Sequence, residues 1–158
     1  MATFSIESNG RLEKTALYLN GETISGVKEV FLNIDEDGAF DAVIQYEGSD
    51  KNLYTKQIFT DYFDKIKITD PPFDEEEAEQ LQMLTIESNG DIENTQVFYN
   101  QETLDGIVSL FIHIKAPNHI SGFKSLFTAA KKVDTHVDFK AEITFRNEDD
   151  TMSTESVF

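Results

Sequence analysis

Few side chains in this sequence can do chemistry, and their spacing argues against catalysis. There is no cysteine, which removes thiolate nucleophiles, thiolate metal sites and disulfides together. The three histidines, His113, His119 and His136, stand without a nucleophile in the Gly-x-Ser-x-Gly setting that would expose one. His119 and His136 flank one segment, yet no acidic or cysteine spacing accompanies them to make a zinc site. No glycine-rich loop presents backbone amides to a phosphate. The expectation is no catalytic residue, no cofactor and no enzyme.

Asp35, Asp37 and Asp41, with Gly38 among them, look like the opening of a calcium loop, because a hard cation gathers several oxygens at a sharp turn. Counted from Asn33, however, the twelfth position is Ile44 rather than a bidentate glutamate, and both flanks read as strands. An acidic turn is the expectation, with no metal. A denser run, Asp74, Glu75, Glu76, Glu77 and Glu79, lies in a chain whose net charge is −17. Such a surface repels nucleic-acid phosphates, so no direct nucleic-acid binding is expected, while a partner with a basic surface remains open. The run is too short to imitate the phosphates of a duplex, so its expected part is to assist encounter.

The elements that must position these residues come in two copies. Residues 4–34 align without a gap on 84–114, 13 of 31 pairs being identical, and Ile-Glu-Ser-Asn-Gly recurs at 6–10 and 86–90. Residues 40–59 realign on 139–158 at a shift of 99 instead of 80. The spacing therefore describes a tandem duplication of a module of five strands, mainly antiparallel and all-β. The predicted strands are Phe4–Ile6, Thr15–Leu19, Val27–Ile34, Phe40–Tyr46 and Asn52–Phe59, and their aligned counterparts. The organisation is a first β module at 1–60, an acidic linker at 61–82 and a second module at 83–158. Asp74, with Glu77 three residues on, predicts a capped helix of roughly ten residues from near Glu75.

Two strands in each copy are apolar on both faces, which leaves Tyr18, Phe31, Phe98 and Phe111 to be covered. The predicted cover is the other module, packed face to face. The alternative is a ligand pocket or partner groove at the module junction among those four. The shift difference is an insertion at 116–134, where Ile120, Phe123, Leu126 and Phe127 recur at helical spacing. An amphipathic helix is predicted there, with Phe123 and Phe127 as further partner-binding candidates.

The pattern from Ile86 to Ile114, IESNG…T…VFYNQETLDGIVSLFIHI, resembles short β-rich proteins encoded by phages and prophages. It covers about thirty residues of each copy. The resemblance implies a phage-type origin and gives weight to host takeover or anti-defence roles, without assigning any residue a task. The absence of a basic-then-apolar N-terminus and of a long apolar run gives the expectation of a cytoplasmic protein with no membrane span. The expected function is a non-enzymatic inhibitor or modulator that binds a host protein, with a small-ligand binder or a structural particle component as alternatives.

Overall fold

Alternate burial marks the long central strands Val27–Asp35 and Ile107–Lys115. In Val27–Asp35 (β4), Val30, Leu32 and Ile34 are buried while the residues between them are half-exposed, which is the two-residue period of a strand with one face inward. The computed structural model describes residues 2–10, 14–71, 73–115 and 138–158. Before β4 come Ala2–Ser8 (β1), Thr15–Leu19 (β2) and Glu22–Ser25 (β3). After it come Phe40–Glu47 (β5), Leu53–Gln57 (β6), Lys67–Ile68 (β7) and a single helical turn, Glu75–Ala78 (α1). The second half supplies Gln82–Ser88 (β8), Gln96–Tyr99 (β9), Glu102–Thr103 (β10), Ile107–Lys115 (β11), Asp138–Arg146 (β12) and Met152–Ser156 (β13).

The fold is all-β, in two sheets whose strand pairs are antiparallel. One sheet has seven strands in the order β10-β9-β8-β1-β2-β3-β7, and the other has six in the order β13-β12-β11-β4-β5-β6. The sequence predicts a sheet for each half, packed face to face. Instead both halves contribute to both sheets, and the halves meet along β1–β8 in one sheet and β4–β11 in the other. The reason is edge satisfaction: a long central strand left at a sheet edge exposes a row of unpaired backbone groups, and pairing β1 with β8 and β4 with β11 removes both edges at once. Each junction is centred on residues 80 positions apart, Ser5 with Thr85 and Leu32 with Ile112. Pairing so centred reads the same from either strand, as at the two-fold axis of an isologous dimer. At the first of these centres Ser5 and Thr85 share a hydrogen bond of 2.9 Å.

One hydrophobic cluster fills the space between the sheets. Phe4, Ile6, Leu84 and Ile86 come from the seven-stranded sheet, and Val30, Leu32, Ile44, Leu110 and Ile112 from the other. Each such side chain, fully buried, contributes roughly 1.5–3 kcal/mol. The repeated Ile-Glu-Ser-Asn-Gly is turn and core chemistry. Buried Ser8 bonds Thr15 at 2.7 Å and accepts from the Gly10 amide at 2.9 Å. Buried Ser88 does the same with Thr95 and Gly90, at 2.8 and 3.0 Å. Gly10 and Gly90, at φ +92° and +95°, occupy backbone that other residues rarely adopt.

The segment predicted as a solvated linker, 61–82, is partly structural. Phe63 is buried, its ring stacked on Tyr46 at 5.6 Å, and the Tyr46 hydroxyl donates to the Asp64 carbonyl at 2.7 Å. β7 then pairs with β3. The predicted ten-residue helix is only one turn, α1, and none of its residues is buried. Asp74 caps it as expected, accepting from the Glu77 amide at 2.8 Å, but without an apolar face nothing extends it. Among the described residues no helix is long and apolar enough to cross a membrane. The predicted insertion helix at 116–134, with Phe123 and Phe127, lies outside the described residues, as do His119 and His136.

Candidate binding surfaces

The four aromatic candidates separate into two pairs. Strand alternation turns Phe31 and Phe111 away from the core, onto the outer face of the six-stranded sheet, where their rings meet edge to face at 5.7 Å. The His113 ring lies 6.0 Å from Phe31, and its Nε2 is 2.7 Å from a Glu29 carboxylate oxygen. The Lys140 ammonium sits 5.7 Å from the Phe111 ring centre, within cation–π range. Tyr18 and Phe98 are on the outer face of the other sheet, in register with Ser5 and Thr85. The Tyr18 hydroxyl donates to Glu7 at 2.7 Å. Burial first, then that hydrogen bond and the charge of Glu7, push its pKa up to about 12, so it stays a neutral donor.

No single pocket can therefore collect Tyr18, Phe31, Phe98 and Phe111. They all share the period of the non-core face, and the two non-core faces point to opposite sides of the sandwich. Nor, among the described residues, does one half pack over the other's aromatic face. The Phe31–Phe111 face has further apolar positions at its margins. Leu53, in register with Glu47, and Met152, in register with Arg146, are 61% and 56% exposed on that same face. They occupy aligned positions, 99 residues apart.

The acidic candidates have structural tasks. One carboxylate oxygen of Asp35 accepts from the amides of Asp37 and Ala39, at 2.9 and 3.0 Å, and so closes the β4–β5 turn. Asp41 is an exposed strand residue opposite Asn33. Asp74, Glu75, Glu76 and Glu79 are exposed, while Glu77 pairs with Lys14. Among the described residues no three histidine or acidic side chains gather as metal ligands would.

Two clefts between the sheets went unread in the sequence. One, about 470 Å³, includes Leu17, Ile24, Val27 and Ile114 in its lining. The other, about 620 Å³, includes the aligned Val97, Leu104, Ile107 and Ile34. They lie at opposite ends of β4, and each is lined from both halves. A signal was present: Gly26 and Gly106, both at positive φ, precede a matching register shift at the start of β4 and of β11. The polar rims differ. Ser25 and Lys28, with Asp70, line the first cleft, whereas Asp105 and Val108, aligned with Ser25 and Lys28, line the second, together with Asp35, Glu36 and Glu93. Comparison with family models, curated proteins and solved structures finds no match to this chain.

Proposed function

We propose that this chain is a non-enzymatic protein-binding molecule, built by tandem duplication of one module and folded as a covalently joined two-fold pair. Support for the duplication comes from the two sheet junctions, each centred on residues 80 apart. The binding reading rests on one observation: Phe31, Phe111, Leu53 and Met152 lie on one solvent-facing sheet surface of a strongly acidic chain. Large apolar side chains on an outer face, a central aromatic pair and one residue at each edge, favour a protein contact, and the surrounding charge favours a partner with a basic surface. The phage-type resemblance directs this reading to a host protein in the cytoplasm, inhibited or modulated by the contact.

The test is the double substitution Phe31→Ser with Phe111→Ser, used beside the unchanged protein to capture partners from cells of the natural host. A partner held in stoichiometric amount by the unchanged protein and lost with the double variant supports the proposal. Equal capture by both removes this face from the function. A second reading, a small-ligand binder, is favoured by the two clefts, whose volumes fall in the range of ligand sites. It predicts a bound metabolite released on denaturation.

A further inference from the structure

The two flanks of the sandwich differ in a way that shows what one of them lacks. On the first flank, residues 58–70 close the gap between β3 and β6. Phe63 stacks on Tyr46, Lys56 pairs with Asp64 at 2.8 Å, and β7 pairs with β3, Ile68 opposite Ile24. The Thr69 amide donates to the Thr23 carbonyl at 2.9 Å, so the edge of β3 is satisfied. Tyr46 is thereby left wholly buried.

On the second flank the aligned positions form a groove of about 170 Å³, lined by Tyr99, Leu104, Ile143, Phe145, Glu155 and Val157, with Ser156 beside them. Phe145, aligned with Tyr46, is only partly buried. Among the described residues β10 has no neighbour beyond β9, and nothing there does for the groove what Phe63 and β7 do across the molecule. Among the described residues one version of the groove is filled and the other is open. The filled one specifies what fits.

We propose that the β10–β13 groove receives, in trans, an extended segment of a partner protein that carries an aromatic residue followed by a cation and, two residues further on, an apolar residue. The aromatic ring takes the place of Phe63, against Phe145. The next residue takes the place of Asp64, but here it faces Glu155 where the first flank has Lys56, so the charge complement is reversed and a lysine or arginine belongs there. An apolar residue follows at the position of Ile66, which packs against the core, and the segment adds a strand to β10 through the Thr103 carbonyl, aligned with that of Thr23. The inference rests on protein binding as the function but uses a surface remote from Phe31 and Phe111.

The probe is a labelled ten-residue peptide with the sequence of residues 61–70 carrying Asp64→Lys, titrated into the full chain. Saturable binding is expected, weakened about tenfold when the peptide's phenylalanine becomes alanine, as for a buried aromatic anchor. Glu155→Lys, at an exposed position, is expected to reverse the preference in favour of the unaltered Asp64 peptide. Amide shifts should centre on Leu104, Phe145 and Val157. Binding retained in Phe31→Ser with Phe111→Ser supports the groove whatever becomes of the sheet face. The proposal is overturned by absence of saturable binding, by indifference to Glu155→Lys, by shifts centred on Ile24 and Tyr46, or by a cross-link placing residues 116–137 in the groove.

Discussion

The two ends of β4 carry the same cleft with different rims, one of mixed charge and one acidic. Backbone features coincide, with Gly26 and Gly106 at φ +79° and +74° and a register shift beginning at Val27 and at Ile107. The apolar lining coincides as well, Leu17 and Ile24 standing where Val97 and Leu104 stand. The rim differs, from Ser25 and Lys28 with Asp70 to Asp105 and Val108 with Asp35, Glu36 and Glu93. Residues held by the strand period have no freedom, because a polar side chain turned into the core loses its water without replacement. Rim residues answer to solvent alone. The halves can therefore differ at the cleft rims without differing in the strands beneath them.

The largest test of that likeness is to open the closed flank. Phe63→Ala should destabilise the protein by about 3–5 kcal/mol, since it empties the space beside Tyr46. Denaturant unfolding measures this, and a loss below about 1 kcal/mol would mean that the first flank is as tolerant of vacancy as the second. Next come the two hairpin turns. Asn20-Gly21 and Asn100-Gln101 both hold positive φ, yet Gln101 does so at +72° with a side chain. Gln101→Gly should stabilise, and Gly21→Gln destabilise, each by about 1 kcal/mol. Shifts of the same sign would show that the turns are not equivalent.

A smaller difference is alkaline. Tyr18 stands where the other half has Phe98, and its folded pKa of about 12 lies above the unfolded value of 10.0. Its contribution is complete below the unfolded pKa and is lost as pH rises through that window, because the unfolded chain ionises first. Tyr18→Phe should flatten the fall in stability between about pH 10 and 12. Part of the slope remains, as burial also raises Tyr46 and the hydrogen bond to Asp50 raises Tyr54. An unchanged slope would assign the whole alkaline transition to other groups. The smallest effect belongs to the acidic cleft: Asp105→Ser, matching Ser25, should stabilise by about 0.5 kcal/mol at low salt and by nothing measurable at 1 M.

What was legible in the sequence followed from the strand period. The alternation at Val30, Leu32 and Ile34, and at Phe40, Ala42, Ile44 and Tyr46, gives both the strands and their inward faces. The all-β class and the Asp74 cap were legible for the same local reasons. Strand neighbours were not, because period two tells a residue which face it occupies and nothing about which strand lies beside it. That is why the sequence predicts face-to-face cover for Phe31, whereas the ring meets Phe111 of the other half edge to face, across a strand junction within one sheet. β3, β7 and β10 span four residues or fewer, too short to show a period. The groove at Phe145 needed three dimensions, since only the stacking of Phe63 on Tyr46 reveals what its counterpart lacks.

The pairing of β1 with β8 and of β4 with β11 also governs the order in which the protein can come into being. On a ribosome the first half emerges with β1 and β4 complete, while their central partners still lie about 80 residues downstream. Contacts that far apart in sequence form late and slowly. For that interval both strands present open edges, and the best partner within reach is the same edge of another nascent chain. The timing of synthesis, more than the stability of the finished sandwich, then decides how much of the chain arrives as a monomer.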